Sequence, residues 1–153
     1  YTTTDTLSLH DALPIFKGCP LPIIGAIDLI EKDDSGTIII SDFKTSARSY
    51  SNDEVTRNFQ LVLYQMAMKE KGYSNSDILL RFDCLIKTKQ PKFESYYTIR
   101  DEIDEIRARK KIVTVSKGIA RGIFLPNDSA YNFKCKGCSF KKNCDAWFLE
   151  EVA

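Results

Sequence analysis

The spacing of apolar positions changes period several times along this 153-residue chain. Residues 23–31 (Ile-Ile-Gly-Ala-Ile-Asp-Leu-Ile-Glu) predict a strand, closed by the turn-forming Asp33-Asp34-Ser35-Gly36. Residues 37–43 return at once in a β-branched run, which predicts a hairpin. The polar residues 46–52 lead into Ser51-Asn52-Asp53-Glu54, a capping residue followed by acids in a first helical turn. Val55, Phe59, Val62 and Met66 follow at spacings of 4, 3 and 4, so one helix is expected to run to about residue 71, where Gly72 ends it. Residues 77–87 predict a third strand, and residues 93–99, past Pro91, a fourth. A second helix is expected over about 101–121, with Ala108, Ile112, Val115 and Ile119 as its apolar stripe. The order β-β-α-β-β-α predicts an α/β domain with a central mixed sheet flanked by helices.

Composition alters this picture little. The chain is 43% hydrophobic and 28% charged, as ordinary globular proteins are, and no apolar run approaches the roughly 20 residues of a membrane helix. A soluble chain with no membrane partner is therefore expected. Its net charge of +1 is unevenly placed: residues 100–144 hold eleven Lys/Arg against five Asp/Glu, a net +6. Such a basic third would suit phosphates, and it would equally suit a solvated helix face. Residues 1–15 follow no helical or strand period, and residues 8–15 resemble the translation of a sequencing-library adapter. A targeting peptide would need a basic start and a compact apolar core, neither of which is present. We therefore expect 1–15 to be non-native and 16–153 to be an N-terminally truncated domain. That expectation removes His10, the chain's one histidine, from the chemistry.

Candidate chemistry gathers on the first hairpin and the helix after it. Asp42 and Lys44 are two apart on a predicted strand, so they share a face while Phe43 takes the other. Asp28, on the partner strand, would lie close to Asp42. Two carboxylates about 4 Å apart in a low-dielectric setting repel by several kcal/mol unless a cation joins them. Mg²⁺ or Mn²⁺, which take oxygen ligands and bridge to phosphate, are the natural choices. Lys44 beside them would position or deprotonate a water and offset developing charge. Gln60 and Tyr64, at i and i+4, share a helix face about 150° from the apolar stripe and are expected to point toward this chemistry.

Gly25-x-x-Asp28, then Asp42-x-Lys44-Thr45 fourteen residues after Asp28, then Gln60-x-x-x-Tyr64 sixteen beyond Lys44, resembles the PD-(D/E)XK nuclease superfamily, and in particular its RecB-type exonuclease branch. The resemblance covers about residues 22–148. It implies a restriction-endonuclease-like core and a Mg²⁺- or Mn²⁺-dependent deoxyribonuclease. Asp28, Asp42 and the backbone carbonyl of Phe43 would hold the metal, Lys44 would be the catalytic lysine, and Gln60 with Tyr64 the motif of that branch. It further implies DNA as partner, as single strands or ends, in a cytoplasmic setting. The contexts it offers are recombination and repair, phage or CRISPR adaptation, with a helicase or adaptation protein as a further partner. Members of that branch carry an upstream helix whose histidine often binds metal; here that region is the adapter-like stretch.

Cys135-x₂-Cys138-x₅-Cys144 is a second local signal. In a cytosolic protein this spacing favours metal or cluster ligation over a disulfide, with structural cysteines as the alternative. The resemblance makes these three the ligands of a 4Fe-4S cluster whose fourth cysteine lies upstream of the nuclease core, with Zn²⁺ as the lesser alternative. Cys19 is a substitute outside the family's pattern, and Cys84, alternating within a strand, is expected in the core. Two other functions stay open from the residues alone. One is a catalytically inactive nucleic-acid-binding or scaffold module of the same fold. The other is a zinc-stabilised binding domain using only the tail.

Overall fold

Ile38-Ile39-Ile40 and Ile78-Leu79-Leu80, two near-continuous aliphatic runs, form the adjacent parallel strands at the middle of the sheet. The computed structural model of the chain describes residues 23, 25–126 and 133–149. Its four strands are β1 (Leu29–Lys32), β2 (Ile38–Ser46), β3 (Ile78–Ile86) and β4 (Lys92–Thr98), in the spatial order β1-β2-β3-β4. β1 and β4 pair antiparallel to their neighbours, and β2 pairs parallel to β3. A parallel pair needs a crossover connection. Here it is α1 (Asn52–Thr56), α2 (Phe59–Glu70) and a single 3₁₀ turn. α3 (Glu102–Ala120) follows β4. The described residues divide into two compact units between Lys117 and Gly118. The second contains a 3₁₀ turn over Phe133–Gly137 and α4 (Lys141–Trp147).

The core of the first unit lies between α2 and one face of the sheet. Ile40, Leu80, Phe82, Cys84 and Ile86 on the sheet, with Leu61, Val62, Met66 and Met68 on α2, are buried in one cluster. Each such side chain contributes roughly 1.5–3 kcal/mol of transfer free energy. Tyr50 extends this packing, its ring centroid 5.7 Å from that of Phe82 and 6.0 Å from that of Tyr96. The opposite face carries a polar row in which Arg81 bonds Glu31 at 2.5 Å and Asp83 at 2.9 Å, and Ser95 donates to Asp83. Gly36, at φ +91°, completes the β1–β2 turn around the carboxylate of Asp33, which accepts from the N–H groups of Ser35 and Thr37.

Two expectations fail locally. β1 begins at Leu29 rather than at residue 23, so Asp28 sits at a bend ahead of the strand. Its carboxylate accepts the Phe43 N–H at 2.8 Å, replacing the next ladder bond beyond the Leu29–Ser41 pair. The single helix expected to reach residue 71 is two helices. Asn58 takes an extended backbone (ψ 125°) and caps α2, its side chain accepting from the N–H groups of Gln60 and Leu61. The apolar stripe is broken as a result: Val55 and Val62 are buried, while Phe59, first in its new helix, is 39% exposed. α2 does end at Gly72, as expected. Gly72 has φ +98°, and the N–H groups of Gly72 and Tyr73 return to the carbonyls of Lys69 and Met68. The α3 stripe is only half covered: Ala108 is buried and Ile112 partly so, whereas Val115 and Ile119 are exposed.

If Asn58 sets the start of α2, Asn58→Ala will lower unfolding stability by about 1 kcal/mol and Asn58→Asp by much less. Urea denaturation of the two variants checks this; equal losses would remove the cap from the account.

Candidate active site

Strand alternation places Asp42 and Lys44 on the sheet face that α2 covers, beside Phe82 and Cys84 of β3. Asp42 is 1% exposed, a burial that a carboxylate tolerates only with partners. Three side chains supply them. The Lys44 ammonium is ion-paired with Asp42 Oδ2, the Gln60 amide donates to Oδ1 at 2.7 Å, and the Tyr64 hydroxyl lies 3.4 Å from Oδ1. Gln60 joins the group from its other end, since its Oε1 accepts from Lys44 Nζ at 2.9 Å. The second Gln60 amide hydrogen goes to the Tyr64 oxygen at 2.5 Å, and Tyr64 donates to the carbonyl of Ala26 at 2.7 Å.

The i, i+4 spacing of Gln60 and Tyr64 therefore does bring both onto the Asp42–Lys44 pair. Tyr64 is also buried in the core cluster, which its place off the apolar stripe did not indicate. Asp28 joins through the backbone: its carboxylate holds the N–H of Phe43, the residue between Asp42 and Lys44 in the chain. The Phe43 side chain lies on the opposite face and is largely exposed, leaving its main chain as the part that borders the group. Two contributors were not foreseen. Phe82 lies under the Lys44 ammonium, 5.5 Å from Nζ to ring centroid, and the strand register alone would have indicated it. The Ala26 carbonyl, a main-chain acceptor, has no sequence signal at all.

Burial raises the Asp42 carboxyl above its ordinary value, and the Asp28 charge raises it further. Lys44 acts in the opposite direction through its hydrogen bond and its charge. Burial also raises the Tyr64 phenol, with Asp42 and Asp28 adding to the effect, so this hydroxyl stays a neutral donor.

In the second unit the three tail cysteines occupy consecutive turns. The Cys138 N–H bonds the Cys135 carbonyl at 3.3 Å, the Lys141 N–H the Cys138 carbonyl, and the Cys144 N–H the Phe140 carbonyl. Asp145 raises the Lys141 ammonium above its ordinary value through its hydrogen bond and its charge. Among the described residues no group of three or more His, Cys, Asp or Glu side chains is arranged to hold a metal ion. Cys84 is fully buried in the core, as expected, while His10, Cys19 and the rest of 1–15 lie outside the described residues.

A mixed four-stranded sheet flanked by helices, with an acid and a lysine two apart on an inner strand, is a restriction-endonuclease-like α/β arrangement. The chain belongs to the PD-(D/E)XK nuclease superfamily, whose family model matches residues 5–145. No curated protein matches it. Among solved structures it is similar to one titled "Crystal structure of SSO0001", at 21% identity and a TM-score of 0.41. The alignment covers 80% of this chain and 50% of that one, so the chain spans half the length of its structural match. No helix among the described residues is long and apolar enough to cross a membrane.

A carboxyl whose folded pKa is raised stabilises the fold least once it must ionise. The native state is favoured below the ordinary value of 3.8 and loses that advantage as pH rises through the higher folded value. Asp42→Asn is therefore expected to gain unfolding stability over the parent as pH rises from 4 to 8 in EDTA. Chemical denaturation across that range checks the sign. A difference that shrinks with rising pH would contradict the raised carboxyl.

Proposed function

We propose that this chain is a metal-dependent deoxyribonuclease whose active site is Asp28, Asp42, Lys44, Gln60 and Tyr64. The observation that carries this reading is the Gln60 amide, which binds the carboxylate and the lysine of Asp-x-Lys at once. Exposed Asp28 holds the Phe43 N–H, and its charge reaches the buried carboxylate of Asp42, the preceding residue. Such a donor set fits Mg²⁺ or Mn²⁺, which commonly bind one or two carboxylates and complete their shell with water and substrate phosphate. Asp28 and Asp42 would hold the ion with the Phe43 carbonyl. When bound, it would supply charge against the phosphate and a more acidic water.

The rest of the chemistry belongs to the chain. An ammonium has three hydrogen-bond donors, and Asp42 and Gln60 engage two of those on Lys44. The third is left for a phosphate oxygen or for the attacking water. The water oxygen bonds phosphorus and loses a proton to solvent. One ester oxygen leaves and takes up a proton to become an alcohol. Lys44 thereby stabilises charge where it grows, and Gln60 and Tyr64 keep its position fixed. Gln60 and Tyr64 at this site also support the RecB-type branch, and with it an exonuclease acting on single strands or ends.

The tail is assigned on donor chemistry. The Cys135-x₂-Cys138-x₅-Cys144 spacing suits soft ligands. On that spacing, since the described structure does not gather the three thiols about one point, we assign them to an iron–sulfur cluster completed by a ligand from elsewhere. Iron, sulfide and zinc analysis of anaerobically purified protein tests this. Iron with stoichiometric sulfide and broad visible absorbance is expected, and zinc without iron would replace the cluster by a zinc site.

Labelled single- and double-stranded DNA incubated with Mn²⁺ tests the main assignment. Asp42→Ala and Lys44→Ala are each expected to lose at least about 10²-fold in rate, as for a lost charge-stabilising group. Gln60→Ala, which acts through its neighbours, is expected to lose about 10–100-fold. Cleavage that survives both of the first two substitutions would remove these residues from the reaction. No cleavage by the parent chain under any metal would favour the inactive binding module.

A further inference from the structure

A cavity of about 350 Å³ opens beside the catalytic helix, between the start of α2 and the first turns of α3. Arg57, Phe59, Arg100, Asp104, Arg107 and Lys111 are among its walls, four cations against one carboxylate. Arg100 is the unusual member. It is 5% exposed, and among the described residues its guanidinium donates only to neutral acceptors: the carbonyls of Val55 (2.7 Å), Asn58 (3.4 Å) and Ile99 (2.9 Å), and the Thr98 hydroxyl (2.6 Å). These dipoles hold the charge in place without cancelling it. Burial lowers its pKa, and Asp104 opposes this through its field.

The other cations are loosely committed. Arg57 is 3.8 Å from Asp53 and Arg107 is 3.7 Å from Asp104, both exposed contacts of the kind worth little in water. Lys111 rests over the Phe59 ring with Nζ 5.7 Å from its centroid. Three weakly paired cations around a fixed, uncancelled one form an anion site, and guanidinium forks match phosphate oxygens best. Phe59 and Gln60 are consecutive on α2, so cavity and catalytic pair are separated by one helical step, about 100° of rotation and 1.5 Å of rise. A strand cut at Lys44 carries other phosphates close to that point.

We propose that this cavity is a second phosphate site, gripping a non-scissile phosphate of the DNA strand being cut. That the phosphate belongs to DNA rests on the nuclease reading; the preference for an anion rests on the cavity alone. The site would set how far from the cut the strand is held, and so how many nucleotides must lie beside the scissile bond.

Binding measured in EDTA separates this from catalysis. Fluorescence anisotropy with a thymidine 12-mer is read for the full chain, for Arg107→Glu/Lys111→Glu, and for a control pair, Lys32→Glu/Lys71→Glu. The control pair makes the same change in net charge away from the cavity, and thermal unfolding confirms that each variant is folded. The cavity pair is expected to weaken binding at least tenfold at low salt, and to lower the slope of log Kd against log salt by about 1 or more. The control pair should shift binding by less than about threefold. Equal losses with 5′-phosphorylated and 5′-hydroxyl strands would assign the cavity to an internal phosphodiester. Loss confined to the 5′-phosphorylated strand would assign it to a terminal phosphate. An unchanged slope, a loss no greater than the control's, or no binding by the parent chain would overturn the site. DNA cleavage by a parent whose cavity pair binds normally would sink the cavity and spare the nuclease reading. Cavity-dependent binding without any cleavage would do the reverse.

Discussion

Keeping one buried carboxylate charged is the constraint from which the rest of this structure follows. Asp42 is removed from water almost completely, and burial alone drives it toward its neutral form. Neutral, it would be a poor partner for any cation. The lysine two positions along its own strand supplies the opposite charge, and the helix that covers the strand supplies an amide and a phenol. An uncompensated charge in such a place would cost several kcal/mol, so lysine, glutamine and tyrosine are structural requirements before they are chemical ones. Fold and site are held by the same contacts.

Most of this was legible in the chain because it depends on short periods. Alternation on β2 put Asp42 and Lys44 on one face, and the i, i+4 spacing put Gln60 and Tyr64 on one side of a helix. Four strands, and the crossover that makes β2 and β3 parallel, also follow from local patterns. What stayed hidden depends on competition between local and distant bonds. Asn58 reads as an ordinary helical residue, but its side chain outbids the helix for the N–H groups of Gln60 and Leu61, and the chain turns there. Asp28 reads as part of a strand, yet its carboxylate takes a bond that a strand backbone would have made. The cysteine spacing was legible as a pattern, while the ligand set it belongs to is not settled by spacing.

α2 is asked to do two different things within its first turn. Gln60 faces the buried carboxylate, and Phe59, next to it, faces the cationic cavity. A helix continuing straight from α1 would have carried Phe59 in register with Val55, toward the core. The break at Asn58 resets that register, and it turns a side chain that the hydrophobic pattern assigns to the interior into a wall of open space. Arg100 donates to the Val55 and Asn58 carbonyls on either side of this break.

The Gln60 amide has one further consequence. An amide has an oxygen end and a nitrogen end, and here the oxygen accepts from the lysine while the nitrogen donates to the carboxylate. That orientation matches a donor at Lys44 and an acceptor oxygen on Asp42. Turned over, the amide would set its oxygen against the carboxylate and its nitrogen against the lysine, and its bond to Tyr64, itself tied to the Ala26 carbonyl, opposes that flip from behind. The side chain thus behaves as a polarity key: it fits one distribution of charge across the pair and resists its mirror image. The order of acid and base along the strand is in this way written into side-chain geometry.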